Sequence, residues 1–279
     1  MKKIVFLFIM IFICSISFSE EAASSFEVHY LDVGQGNAEF IICDGHVLMI
    51  DGGPRSSNQL IFSYLRNTLQ IEYIDYIIST HPDADHISGI ASALVACDAG
   101  IVYSPVLEHD TKTFQSVVKY ADERGIDIVI PEQDLQFPLG SATVQILGPV
   151  FLYDESNKKS LVTKVTYGET SFLFMGDADK EVELDLISAG YDLGADVLLI
   201  GHHGSNTATG YQFLYHVDPQ FAVISVGADN SYGHPNEGVL DRLNNMHANV
   251  LRTDLDGHII CRSDGTNLTF ETSKKRKVQ

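Results

Sequence analysis

Short apolar runs of strand length, most of them ending at Gly, Asp or Pro, alternate with stretches of helical length along nearly the whole chain, and this points to the layered α/β folds. The first runs, FEVHYLDV, AEFIIC and HVLMID, are separated by glycine-containing turns, as in a meander. A helix is expected over about Asn58 to Leu69, then strand Tyr73 to Ile78, then a helix from about Asp85 to Val95. IVYS, a helix from Thr113 to Arg124 and DIVI follow, and then the strand group ATVQIL, SLVTKVTYG and SFLFM. The last third repeats the alternation: helix Lys180 to Ala189, VLLI, helix Gly210 to His216, FAVISVG, helix Glu237 to Met246, then RTD, HIICRS and NLTFET. Two blocks of similar size predict two sheets stacked inside with helices outside, in one domain.

The chemistry gathers where these runs stop. "STHPDADHISG", Ser79 to Gly89, places His81, Asp83, Asp85 and His86 directly after the apolar run YIDYII. A strand that turns through Pro82 cannot hold all four on one regular face, so they wrap around a point at its C-terminal edge. Imidazole mixed with carboxylate suits a borderline divalent ion such as Zn²⁺ or Mn²⁺, whereas Ca²⁺ prefers an all-oxygen cage. The plainer alternative is that Asp85 caps the following helix and the histidines are surface residues. Against it, three more runs end in ligand types: Asp177 in "FLFMGDAD", His202 and His203 in "VLLIGHHGSNTAT", and His234 in "VISVGADNSYGHPNEG". Loops at strand ends converge while the sheet stays rigid.

The segments THPDADH, MGDAD, HHGS and YGHP, preceded by LDVGQGNA and LMIDGG, resemble the metallo-β-lactamase superfamily. More narrowly they resemble stand-alone relatives of the extracellular hydrolase domain of the competence DNA-uptake channel, from about Phe26 to Arg262. The resemblance implies a four-layer αβ/βα sandwich with a two-metal site at the edges of the sheets. It also implies that His81 and Asp83 serve the first ion, Asp85 and His86 the second, and Asp177 both. The HHGS pair, His202 and His203, and His234 match the later histidine ligands, and which of the pair binds stays open. Asp83 stands where most of the superfamily has a histidine, which speaks against lactam hydrolysis. Asn37 replaces the usual Asp of the GQGDA loop.

Two divalent ions bring four positive charges, offset by Asp83, Asp85, Asp177 and a bridging hydroxide, and a neutral cluster tolerates an incoming phosphodiester. The expected reaction is in-line attack by that hydroxide, with Asp85 and His203 as the central catalytic positions. Proton donors to the leaving group are sought in the non-ligating member of His202 and His203, then in Tyr232 and Asn230. Asp32 and Asp51 read as loop-fixing groups beside a site, His29 as structural, and Ser205 as a substrate hydrogen-bonding group rather than a nucleophile.

Residues 1–19 read as a signal peptide, with Lys2 and Lys3, an apolar run from Ile4 to Ile13, and Ser17 and Ser19 before the cleavage point; the alternative is a retained anchor. The hydrolase domain is expected over residues 24–272 and a basic tail over 273–279. Export, to the periplasm or beyond, leaves Cys43, Cys97 and Cys261, enough for one disulfide at most. The formal net charge of −19 becomes −21 once Lys2 and Lys3 are lost. Such a chain gains little from phosphate neutralisation, which excludes an extensive DNA-binding surface and favours a small or end-bound phosphodiester, nucleic-acid ends included. No membrane contact is expected after cleavage. Hydrolysis of a carboxylic ester, thioester or lactam, and metal binding without catalysis, are the alternative functions.

Overall fold

The computed structural model describes residues 25–275, and the signal segment expected over residues 1–19 lies outside them. Six strands, β1 (Phe26–Tyr30), β2 (Glu39–Cys43), β3 (His46–Ile50), β4 (Tyr73–Ile78), β5 (Asp98–Tyr103) and β6 (Asp127–Val129), build most of the first sheet. The next seven, β7 (Gln136–Leu139), β8 (Ala142–Ile146), β9 (Thr163–Tyr167), β10 (Thr170–Phe174), β11 (Val197–Leu199), β12 (Phe221–Ile224) and β13 (Asn249–Arg252), form the second. The chain then returns to the first sheet with β14 (Ile259–Ser263) and β15 (Leu268–Thr272). The strand orders are β15-β14-β1-β2-β3-β4-β5-β6 and β13-β12-β11-β10-β9-β8-β7.

Period-two alternation along the strands makes the layers. On β10, Phe172 and Phe174 enter the core between the sheets, whereas Leu173, and Met175 just after the strand, face the helices behind the second sheet. On β1, Phe26, Val28 and Tyr30 meet the same central core. Behind the first sheet lie α1 (Asn58–Ser63), α2 (Ala84–Ala96) and α3 (Lys112–Arg124). Ile87, Ile90 and Leu94 of α2 and Phe114, Val117 and Ala121 of α3 are buried there. Behind the second sheet lie α4 (Lys180–Ser188), α5 (Tyr211–Val217) and α6 (Glu237–Asn245), packed through Val182, Leu186, Phe213, Leu214, Val239 and Leu243. Helix, sheet, sheet, helix is the expected four-layer αβ/βα sandwich.

Three local expectations need correction. The helix over Asn58 to Leu69 is α only to Ser63 and widens to π winding over Tyr64–Leu69. RTD is not a strand: β13 stops at Arg252, and Thr253–Asp256 makes a helical turn. There Thr253 Oγ1 donates to Val226 O and accepts from Val226 N, while the Asp256 carboxylate accepts from Arg252 N. β7 has no counterpart among the expected strands because Pro138 interrupts its pattern; as the edge strand of its sheet it tolerates the missing donor. Cys43, Cys97 and Cys261 are buried free thiols, two of them in the central core.

Candidate metal centre

β10, β11 and β12 run parallel, as do β3 and β4, so the ends of β4, β10, β11 and β12 deliver their following loops to one edge of the sandwich. After β4 comes the His81 to His86 segment. Asp83 is the N-cap residue of α2, yet its side chain makes no capping bond, and its Oδ1 instead accepts from Ser156 Oγ at 2.6 Å. Asp85 lies in the first helical turn, and neither carboxylate is spent on the cap. After β10, Gly176 takes φ +54, and a Cβ there would stand 2.9 Å from Thr80 Cβ, so glycine lets Asp177 close on the His81 segment. After β11, His202 and His203 both adopt left-handed backbone, φ +52 and +54, a conformation unfavourable for L-residues, and project to different places.

Asp177 divides the cluster in two. Its Oδ1 lies 3.1 Å from His86 Nε2 and 3.6 Å from His203 Nε2; its Oδ2 lies 3.8 Å from His81 Nε2 and 3.6 Å from His202 Nε2. Asp85 Oδ2 is 3.4 Å from His203 Nε2, and Asp83 Oδ2 is 3.7 Å from His81 Nε2. His81, His86 and Asp177 offer ligand atoms within 4.8 Å of one another, as do Asp85, His86 and His203, so His86 stands between the two groups. His202 is on the rim, its Nε2 3.3 Å from Asn157 Nδ2 and its Nδ1 3.2 Å from Thr207 Oγ1. His234 is further out, its ring 5.7 Å from that of His202 and stacked at 5.6 Å on Tyr232.

Hydrogen bonds behind the ligands fix their tautomers. Asp51 Oδ2 accepts from His86 Nδ1 at 2.7 Å and from Thr80 Oγ1 at 2.6 Å. Since the Thr80 hydroxyl donates to Asp51, it accepts from His81 Nδ1 at 3.1 Å. His203 Nδ1 donates to Ser225 O at 3.0 Å. All three imidazoles are thereby held with Nε2 facing the centre.

The charges follow. Burial opposes ionisation of His86, but the carboxylates of Asp177 and Asp51 outweigh it and hold its pKa well above the usual histidine range. Burial likewise disfavours the Asp177 anion, and His86 and His203 overcome that and pull its pKa well below the usual value. Asp85 is drawn down to about 2, against burial, chiefly by the neighbouring imidazoles of His203 and His86. His81 is pushed down to about 4 by burial and by neighbouring His86.

Nε2 of His81, His86 and His203 and Oδ1 of Asp177 are all buried without a hydrogen-bond partner. An orphaned buried polar atom costs about 1–3 kcal/mol, and these four, spread over the two groups that share His86, describe a cation-binding centre. Imidazole and carboxylate donors fit a divalent ion of the Zn²⁺ or Mn²⁺ kind.

Other expected residues have different work. Asn230 donates to Gly227 O and His234 O and accepts from the backbone of Tyr232 and His234, which leaves it no role as a proton donor. Ser205 Oγ is engaged with Thr207 Oγ1 at 2.9 Å rather than presented to substrate. Asp32 pairs with Lys274 of the basic tail at 2.6 Å, and His29 bonds Tyr64 and Glu27 inside the fold. Asn37 is buried, with its backbone N–H donating to Asp85 O at 3.3 Å and its Oδ1 unpartnered. Sequence inspection missed Ser156, Asn157 and Ser160, whose side chains reach Asp83, His202 and the Asp177 N–H; the polar run SNKKS between two strands is the available signal. It also missed Glu39, fully buried with both carboxylate oxygens unpartnered and its pKa raised by burial and by Asp51.

The model of the metallo-beta-lactamase superfamily matches residues 31–227. ComE operon protein 3 of Bacillus subtilis (strain 168) is 33% identical over 89% of this chain and 34% of its own length. Competence protein ComA of Neisseria gonorrhoeae is 30% identical over 87% of this chain and 33% of its own. The chain thus spans about a third of these relatives. Among solved structures, the metallo-beta-lactamase fold protein YhfI from Bacillus subtilis superposes with a TM-score of 0.57 at 11% identity, covering 85% of this chain and all of its own.

Proposed function

The chain belongs to the metallo-beta-lactamase superfamily, and from that premise we propose that it is an exported, metal-dependent hydrolase of phosphodiester bonds. His81, Asp83 and Asp177 would hold one ion, and Asp85, His86, His203 and Asp177 the other, with Mn²⁺ or Zn²⁺ as the metal. Bound there, the ions supply an acidified water and positive charge for the phosphoryl oxygens. The observation that carries the proposal is the convergence of three oriented imidazoles on a carboxylate whose two oxygens face opposite halves of the site.

Asp83, Asp85 and Asp177 leave two divalent ions with one net positive charge, which favours an anionic diester over a neutral ester or lactam. Asp51 and Ser225 keep the imidazoles from turning, so no reorganisation is needed as charge develops. His202, on the rim beside Asn157, is positioned to pass a proton to a departing oxygen. The resemblance of the motifs to the hydrolase domain of the competence DNA-uptake channel favours a nucleic-acid end among the substrates. Export is supported by the signal-like segment at residues 1–19; among the described residues no helix is long and apolar enough to cross a membrane.

A substrate panel tests this. Protein loaded with Mn²⁺ or Zn²⁺ is expected to turn over bis-p-nitrophenyl phosphate at least about tenfold faster than nitrocefin or p-nitrophenyl acetate. Faster nitrocefin or acetate hydrolysis with both metals would replace the phosphodiester by an acyl substrate.

A further inference from the structure

Beside the His81 half of the centre, the same edge of the sandwich opens into a cavity of about 280 Å³. Its wall includes Pro105, Ile130, Leu147, Phe151, Leu152 and Leu161. Three contacts join it to the centre. Leu161 donates its N–H to Thr80 O at 2.9 Å, immediately before His81 in the chain. The adjacent Ser160 accepts from the Asp177 N–H at 3.0 Å. Beyond Leu152 the same loop runs to Ser156 and Asn157, which touch Asp83 and His202.

The lining is unusual in what it exposes and what it lacks. Leu152 is 104% exposed, Phe151 58% and Ile130 51%, although each is large and apolar. Glu132 and Asp134 are the ionisable groups of the lining, and no Lys, Arg or His stands among the described residues that form it. Such a site repels phosphate and gains by covering its apolar wall. A phosphoryl group held at the ions and an uncharged group laid against this wall satisfy both halves.

We propose that the cavity receives the uncharged, hydrophobic organic group of the substrate, so that the enzyme selects diesters bearing an aryl or similarly bulky apolar substituent. The proposal rests on the phosphodiester function above and adds its substrate class. Discrimination of about tenfold or more is expected between a phenyl and a methyl substituent, since apolar groups of this size difference are separated by that much in a fitted pocket.

The test is calorimetric binding of diphenyl phosphate and dimethyl phosphate to the Mn²⁺-loaded full chain and to Phe151→Ser, Leu152→Ser and the double variant. Both side chains are already exposed, so the variants should fold and keep their metal, which elemental analysis checks. The expected result is at least about tenfold tighter binding of diphenyl phosphate, reduced to less than about threefold in the double variant. Equal binding of the two ligands, or a preference that survives the double variant, overturns the proposal. Turnover of bis-p-nitrophenyl phosphate by the same samples keeps the two ideas apart. A Phe151- and Leu152-dependent preference without any turnover removes the phosphodiesterase function and leaves the cavity as a hydrophobic subsite. Turnover without preference does the reverse.

Discussion

The two halves of the metal centre are built differently. Around Asp85, His86 and His203, the two histidines are buried, and both are braced from behind by groups on rigid elements, Asp51 at the end of β3 and Ser225 O at the end of β12. Around His81 and Asp83, the histidine is likewise buried, and Asp83, at 40% as exposed as Asp85 at 39%, differs in being held by Ser156, from the long connection between β8 and β9. The first half is fixed by the sheets. The second borrows a loop, and that loop also forms the wall of the apolar cavity. Chemistry that must not vary is thus tied to strand ends, whereas the part that meets the substrate hangs on a segment free to change in length and sequence.

Asp177 turns one carboxylate oxygen to each half, so its removal should break the comparison outright. Asp177→Ala is expected to lower metal content at both positions and to cut turnover by about 10³-fold. Elemental analysis checks the stoichiometry, and two ions retained in the variant would show that the halves are independent.

The loop that carries His202 and His203 is anchored at its far end by Glu183, which is buried and accepts from the N–H groups of Thr209 and Gly210. Burial pushes the Glu183 pKa up to about 7 from 4.5, against those two hydrogen bonds. A group with a raised folded pKa binds more protons when folded, so its stability contribution is complete below about pH 4.5 and is lost as pH rises through 7. Relative to Glu183→Gln, the native chain should therefore lose on the order of 3 kcal/mol of stability between about pH 4.5 and about pH 8. Denaturant melts of both proteins at the two pH values read this directly. A difference independent of pH would mean that Glu183 is already ionised in the folded chain.

Asp51→Asn should sharpen the contrast. It disturbs His86 by direct contact and His81 only through Thr80, so metal affinity should fall by about 10- to 100-fold at one position and less at the other. Stepwise titration with Zn²⁺ resolves the two; equal losses would mean that Thr80 transmits the change in full. Ser156→Ala should have the smallest effect, about fivefold on the weaker site, because one hydrogen bond to a half-exposed carboxylate is worth about 1 kcal/mol. Its effect should fall on KM more than on kcat if the loop serves the substrate, which steady-state kinetics with bis-p-nitrophenyl phosphate will show.

The pattern of short apolar runs determined the layers, because alternation on β1 and β10 leaves one face for the central core and the other for a helix. The ligand types were equally plain, since His81, Asp83, Asp85 and His86 sit together in the chain and Asp177, His202, His203 and His234 each follow a strand that ends. What distinguishes His203 from His202 was not there. Both are preceded by the same strand, and only the left-handed turn sends the His203 Nε2 to Asp85 and Asp177 Oδ1 and the His202 Nε2 to Asn157 and Asp177 Oδ2 at the rim. Nor could local pattern join Asp51 to His86 or Ser156 to Asp83, partners separated by 35 and 73 residues. Residue type and periodicity are properties of the local chain, so the sequence alone determined the fold class and the donor set. Which donors converge, which tautomers they hold and what lies beside them depend on contacts made when distant segments reach one sheet edge, and those only the tertiary structure decided.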